Sequence, residues 1–467
     1  MKTPLFGSDS PGDAAQPLGA AISQAPAENG RLGDLEVAAS RGTLSKSMLR
    51  LFRWPLVAML LSAASFAADL PTPAEYQANW PRFRGPDGSG VYAPDKVPLT
   101  CDPKTGTNVV WSVPVPAPGF GSPVIWGDRV FMSGGDEDKR EVMCFDMASG
   151  KLLWQTEVPK SAEATDEKIP VPEQCGMAAG TVATDGQRVY AIFANGTLAA
   201  FNFDGAVAWA KNLGSPRNEY GFATSLLTWQ DRVIVQFDQG APEDNLSKIF
   251  AFDGATGKVV WQEQRPVGQS WATPIIIDPE GKAQLITCSL PLTIAYSPKD
   301  GTEIWRAECL DGLVTPSPIF AGGTLFVVNP SNKLQAIHPD GEGDVTSSNL
   351  AWGVEDGIPD VSSPVSNGEL IFLLDSGGTL TCYDAKDGKK QWQQDLMEEC
   401  NASPSIAGST VYVITKKGTL IALAAARQFK ELGRSSIGEQ VLASPAFAQN
   451  KILVRGVKNL FCIGEKK

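Results

Sequence analysis

The chain has 467 residues, with 52 acidic against 40 basic side chains, one histidine and a formal net charge of −12. That acidity argues against a nucleic-acid partner, which requires a basic face, and the lone histidine removes most metal-site and histidine-based catalytic chemistry. The length exceeds an ordinary two-layer core unless the core is divided among repeats, while 46 glycines and 34 prolines imply many turns.

Residues 1–47 are polar, rich in small side chains and without apolar periodicity. They are expected to be disordered, or to precede a true start at Met48. Residues 48–67 combine a basic start (Arg50, Arg53), the apolar run Trp54–Leu61 and the small-residue stretch Ser62–Ala67. This is the layout of a secretory signal peptide cleaved before Ala68, so an exported chain is expected, periplasmic or extracellular. The run is too short to span a bilayer comfortably, and no cysteine follows it directly for lipid attachment; a buried helix is the alternative reading. Residues 68–108 form a Pro-rich lead-in holding Trp80-Pro-Arg-Phe-Arg-Gly-Pro-Asp-Gly-Ser-Gly90. Nothing in it alternates cleanly, so irregular chain pinned by Trp80 and Phe83 is expected.

From residue 109 to 467 one unit recurs. Phe145-Asp-Met-Ala-Ser-Gly-Lys-Leu-Leu-Trp154 is rewritten as Phe252-Asp-Gly-Ala-Thr-Gly-Lys-Val-Val-Trp261, Tyr296-Ser-Pro-Lys-Asp-Gly-Thr-Glu-Ile-Trp305 and Tyr383-Asp-Ala-Lys-Asp-Gly-Lys-Lys-Gln-Trp392. The short polar residue and glycine suit a tight hairpin turn with a positive φ. The tryptophan ends the following strand, where a large ring can wedge between sheets. Shorter or degenerate copies end at Trp209, Trp111 and Trp352, and Phe429 stands where an eighth tryptophan is expected. These anchors lie 37 to 55 residues apart, a period typical of solenoids and propellers. A Ser/Thr-Pro pair opens the units at Ser122, Thr273, Ser317, Ser363, Ser403 and Ser444, with Thr181 and Ser225 as looser equivalents. Trp111 precedes the first opening and no anchor follows Ser444. The strand bearing Trp111 is therefore expected to complete the last unit, giving an all-β, eight-bladed β-propeller of four-stranded antiparallel blades, closed by its N-terminal strand.

Aligning the third strands places Cys144, Ala200, Ala251, Ala295, Ala336, Cys382, Ala422 and Cys462 at one position. Only small side chains occur there, so those three cysteines are expected as buried free thiols. Cys101, Cys175, Cys288, Cys309 and Cys400 remain, an odd number whose pairing the sequence leaves open.

The repeated unit resembles the tryptophan-docking repeat of the PQQ-like (pyrroloquinoline quinone) β-propellers, over about Val109 to Gly464. Two branches of that superfamily are relevant. One comprises the quinoprotein alcohol and glucose dehydrogenases, which hold the quinone with Ca²⁺ over the channel. The other is non-catalytic and is typified by BamB of the outer-membrane β-barrel assembly machinery. The dehydrogenase branch implies a carboxylate base, an oxygen cage for Ca²⁺ and flat surfaces around the ring. In the alcohol dehydrogenases one such surface is a disulfide between adjacent cysteines, which this chain lacks. Trp271 could serve as a stacking floor, and Glu219, Asp311, Asp360 and Glu399 lie in connections feeding the inner strands; packing and solvated loop charge are the competing readings. The expectation is a monomeric, exported, non-enzymatic scaffold without cofactor, binding a protein or peptide on an acidic channel-mouth face. A PQQ/Ca²⁺ dehydrogenase of alcohols or sugars is the alternative.

Overall fold

A computed structural model describes residues 70–160, 171–172 and 175–465. The expectations for residues 1–47 and for the signal peptide at 48–67 lie outside the described residues, as do Glu163, Asp166, Glu167 and Glu173, the acidic residues that follow Trp154 in sequence and are expected to contribute to the acidic channel-mouth face. The propeller units alternate short apolar strands with Gly-, Asp- and Asn-rich turns, and they fold as eight antiparallel sheets. Blade 1 runs Val124–Trp126, Arg129–Gly135, Arg140–Asp146 and Leu152–Glu157, each strand paired with the next. The middle strands are buried on both faces and carry the core, whereas the outer strand alternates exposed and half-buried residues. Blade 8 consists of Ala446–Ala448, Lys451–Arg455, Asn459–Ile463 and, from the other end of the sequence, Val109–Pro114. Trp111 lies opposite Cys462 in that pairing, so the ring is closed by its N-terminal strand.

The recurring turn does two jobs. Asp146 Oδ1 accepts the Ser149 N–H at 2.8 Å and Asp253 Oδ1 that of Thr256 at 2.7 Å, which fixes the turn. The glycine that follows has a positive φ, +73° at Gly150 and +66° at Gly257, a conformation glycine adopts without steric cost. It also seats the tryptophan of the preceding blade. Trp111, Trp154, Trp209, Trp261 and Trp352 lie over Gly150, Gly205, Gly257, Gly301 and Gly388, where an added Cβ would come within 2.5–2.8 Å of the ring. Four of these indoles donate to a carbonyl beside the same turn: Trp111 to Met147 at 3.0 Å, Trp154 to Phe203 at 2.8 Å, Trp209 to Gly254 at 2.9 Å and Trp261 to Pro298 at 3.2 Å. Trp392 likewise donates to Ala426 O at 2.9 Å. Each ring thus clamps its blade to the next.

Blade 4 varies this clamp. The corresponding turn of blade 5 is a longer loop, from which Gly343–Asp344 adds to blade 4 as a fifth, parallel strand beside Glu303–Glu308. Fully buried Trp305 donates to Gln284 Oε1 at 2.9 Å, and Gln284 passes the contact on to Pro339 O at 3.0 Å.

Phe429 is not the eighth anchor. The seven tryptophans pair with the small third-strand residue of their own blade, as Trp154 does with Cys144 and Trp392 with Cys382. In blade 7 that residue, Ala422, pairs with Gly433. Phe429 lies outside the strand and packs edge-on against Trp392, at 5.4 Å between ring centroids. The lead-in fills the vacated place: a Cβ on Gly433 would meet Leu99 O at 2.7 Å and the Thr100 side chain at 2.8 Å. Cys101 N donates to Ser435 Oγ nearby at 3.0 Å.

The lead-in is otherwise threaded through the ring. A five-residue helix, Pro73–Gln77, is capped by Thr72 and Glu75. Trp80 then bridges to Ile125, and Val91–Tyr92 adds in parallel to the inner strand of blade 7, Ser405–Ala407. All eight cysteines are free thiols. Cys144, Cys382 and Cys462 are wholly buried at the small-residue position opposite the anchors.

Candidate functional site at the channel mouth

The inner strand of each blade begins just after its Ser/Thr-Pro opening, so the eight opening residues ring the central channel. They are stitched into a girdle. The backbone N–H of each of the first seven donates to the side-chain hydroxyl of the next blade's opening residue, in the run Ser122, Thr181, Ser225, Thr273, Ser317, Ser363, Ser403 and Ser444, at 2.9–3.1 Å. The repeated Ser/Thr therefore serves a coupling between blades, in addition to starting the inner strand.

Below the girdle the lead-in plugs the channel. Arg84 donates to Pro364 O at 2.5 Å, Pro404 O at 3.0 Å, Ser89 O at 2.9 Å and Gly88 O at 3.3 Å, while Arg82 reaches Pro274 O at 3.3 Å and Pro86 O at 3.1 Å. Three of those prolines directly follow girdle residues. Between the two arginines Phe83 faces the remaining space, a cavity of about 400 Å³ lined by the eight girdle residues together with Phe120, Tyr220, Trp271, Val361 and Leu442, among others. A third buried arginine, Arg455, donates to Gly121 O at 3.1 Å, Ser133 O at 2.8 Å and Ala117 O at 3.3 Å, and Gly121 directly precedes Ser122. None of the three has an ion-pair partner among the described residues. Burial pulls the Arg84 pKa down to about 9 and that of Arg455 to about 10.

Of the candidates read from sequence, Trp271 lines this cavity, edge-on to Tyr220 at 4.9 Å. The four carboxylates lie on the same face but do not line it. Glu219 is exposed, with its backbone N–H donating to Gln269 Oε1 at 3.1 Å. Asp311 accepts from Asn329 and, at 2.9 and 3.1 Å, from Asn332. Asp360 accepts the Ser376 N–H at 3.0 Å and its hydroxyl at 2.6 Å. Glu399 pairs with Lys416 at 3.0 Å. These connections share a face with the turns between second and third strands, as the bond from Lys416 N to Glu399 O and that from Ser331 N to Pro359 O show. The same face carries Glu355, Asp356, Glu398, Glu243 and Asp244.

A buried network behind Trp271 had no sequence signal, because its members lie far apart along the chain. Arg265 and Asp238 form a fully buried ion pair at 2.8 Å, joined by Thr287, Ser289 and Gln236. Burial opposes the Arg265 charge, but Asp238 beside it outweighs this and raises its pKa. With every charge paired and hydrogen-bonded, this network holds blades 3 and 4 together.

The cavity does not fit a quinone held with Ca²⁺. That ion requires a cage of hard, largely anionic oxygens, and the lining contains hydroxyls, aromatic rings and no carboxylate. Among the described residues no group of three or more His, Cys, Asp or Glu side chains is placed to hold a metal ion.

Comparison with known proteins gives a consistent picture. The family described as outer membrane protein assembly factor BamB is matched over residues 95–275, 247–345, 342–428 and 377–463. A Burkholderia pseudomallei protein named outer membrane protein assembly factor BamB is 23% identical over 42% of this chain, which spans 46% of that relative's length. One of the same name from Moranella endobia is 22% identical over 70% of this chain and 68% of its own. Among solved structures, BamB from Moraxella catarrhalis superposes with a TM-score of 0.57 at 16% identity, covering 76% of this chain and 98% of that one. A quinohemoprotein alcohol dehydrogenase from Comamonas testosteroni gives 0.62 at 14% identity, covering 84% and 81%. At such identities these structures show a shared fold and nothing about chemistry.

Proposed function

Because the chain belongs to the family described as outer membrane protein assembly factor BamB, we propose that it is an exported, non-catalytic scaffold whose channel-mouth face docks a basic segment of a partner protein. The observation that carries this reading is the collection of acidic side chains on that one face. Glu219, Asp311, Glu355 and Glu243 form no ion pair with the described residues, while Asp356, Glu399 and Asp244 are paired with Lys390, Lys416 and Arg217. A negative rim attracts a basic segment over roughly a Debye length, about 8–10 Å at moderate salt, and higher salt screens it. A rigid ring carrying variable loops suits such docking. Among the described residues no helix is long and apolar enough to cross a membrane.

The test is binding of a lysine-rich peptide to the parent chain and to a variant carrying Glu219→Gln, Asp311→Asn and Glu355→Gln. Binding that weakens with salt and with the triple substitution supports the reading. Dye-linked alcohol or sugar oxidation that appears with quinone and Ca²⁺ and vanishes on chelation would overturn it.

A further inference from the structure

The connection after the outer strand of blade 6, Lys390–Asp395, is built like those after the outer strands of blade 2, Val207–Asn212, and blade 7, Glu431–Ser436, except for one side chain. In all three the side chain of the last strand residue accepts the backbone N–H two residues on: Asn212 from Gly214 at 2.7 Å, Asp395 from Met397 at 2.7 Å and Ser436 from Gly438 at 3.1 Å. The residue between them, Leu213, Leu396 or Ile437, donates its N–H to a glycine carbonyl in the turn between second and third strands, at 2.7–2.9 Å. The third residue has a positive φ each time, +90° at Gly214, +65° at Met397 and +91° at Gly438. Glycine enters that region freely, whereas a side chain with a Cβ is disfavoured there. Among the described non-glycine residues with a positive φ, Met397 alone is apolar.

Packing does not explain the exception. A Cβ added to Gly214 or Gly438 would meet nothing within 4 Å, so this position looks into open space. Met397 is accordingly 79% exposed, and no other exposed large hydrophobic residue among those described exceeds 49%. It lies on the rim of the channel-mouth face, outside the lining of the channel cavity. An apolar side chain that combines an unfavourable backbone conformation with high exposure points to a role outside the chain. Its support is rigid: Leu396 and Cys400 are buried, and Cys400 N donates to Ser376 O at 3.0 Å. A partner that docks on Met397 therefore has little backbone to order, which favours binding.

We infer that Met397 is the apolar contact of the docking face, and that the partner segment it receives is basic and carries an aromatic side chain. This rests on the docking reading above and adds its apolar half. Asp395, Glu398 and Glu399 flank Met397 in the chain. The Glu398 carboxylate is engaged by the hydroxyls of Thr415 and Thr419 at 2.7 and 2.8 Å, and Glu399 pairs with Lys416 at 3.0 Å. Cations of the segment would meet the acids of the rim, while its ring covers the thioether. An unbranched thioether adapts to a flat partner and gains a sulfur–ring contact that an aliphatic residue would not supply. A segment of lysines alone would leave Met397 uncovered.

The probes are a lysine-rich peptide with one central phenylalanine and its alanine twin, titrated calorimetrically at low salt into the full chain. The phenylalanine peptide should bind the parent about three-fold tighter or more, the worth of a sulfur–ring contact. Met397→Gly should abolish that preference, leave the affinity of the alanine twin at its parent value and leave the melting midpoint unchanged or higher, because glycine suits the positive φ. Met397→Gln keeps the length of the side chain and removes its apolar character, and should abolish the preference too; Gln230 and Gln449 already adopt positive φ in this chain. Equal affinity of the twins for the parent, or a preference that survives both substitutions, would overturn the assignment while leaving the acidic face its docking role. So would a melting midpoint lowered by Met397→Gly beyond the scatter between repeats, since the side chain would then serve the fold. Failure of both twins to bind the parent would overturn the docking reading and this inference with it.

Discussion

Truncating Trp111 to alanine probes the clamp and the closure together. Its ring is 9% exposed, rests on Gly150, and donates to Met147 O at 3.0 Å, all from the one strand that joins the two ends of the propeller. Large-to-small replacement of a buried aromatic costs about 3–5 kcal/mol, because transfer and cavity terms add. With an unfolding entropy of about 2.1 cal/mol/K per residue over roughly 400 ordered residues, a loss of about 4 kcal/mol lowers the melting midpoint by about 5 °C. Trp111→Phe keeps most of the ring and removes the N–H, so it should lose about 1 kcal/mol. Differential scanning calorimetry, supported by urea unfolding, measures both. The transition should stay single, because the closing strand belongs to the whole ring. A loss below about 1 kcal/mol for Trp111→Ala, well short of the large-to-small range, would refute the claim that this indole clamps blade 8 to blade 1.

Three further outcomes follow from the same geometry. Arg84→Met leaves four carbonyls, including those of Pro364 and Pro404, without their donor; it should destabilise the chain by at least about 2 kcal/mol in thermal melts. The Asp146 carboxylate is held below its ordinary pKa first by the Ser149 hydroxyl and then by the Ser149 backbone N–H. Its stabilising contribution is present above the unfolded carboxylate pKa near 4 and is lost as pH falls through the lower folded value, so the melting difference between parent and Asp146→Asn should be larger at pH 7 than at pH 2.5. Burial pushes the thiols of Cys144, Cys382, Cys400 and Cys462 up to about 12 and that of Cys309 to about 11; native protein at neutral pH should resist maleimide labelling at these five positions, with all eight thiols reacting after denaturation, as counted by mass spectrometry.

The ring was legible because its information is local and repeated. An Asp-x-x-Ser/Thr/Asp-Gly turn with a tryptophan four residues later specifies a hairpin and a wedge within ten positions, and the mismatch between Trp111 and Ser444 exposed the closure. Phe429 misled because an aromatic near the right spacing stands out in sequence, whereas the true equivalent, Gly433, has no side chain to notice. Its place is taken by Leu99 and Thr100, more than 300 residues away along the chain. The same distance hid the channel. Arg-Phe-Arg in the lead-in was visible, but nothing local shows that Arg84 meets Pro364 and Pro404, or that Arg455 comes to the wall beside Ser122. Sequence placed Asp311, Asp360 and Glu399 near the mouth, yet their loop partners Asn332, Ser376 and Lys416 lie on separate turns that only the fold brings in.

Site-specific photo-crosslinking tests the docking reading most directly. A crosslinking residue at Met397, which is 79% exposed on the channel-mouth face, or at Glu355, is compared with one at Gln230, in the turn between the first two strands of blade 3 at the opposite end of the blades. The lysine-rich peptide should crosslink from Met397 and Glu355 and not from Gln230, with yields that fall as salt rises. Equal yields from all three positions, or yields indifferent to salt, would contradict a docking role for the acidic face.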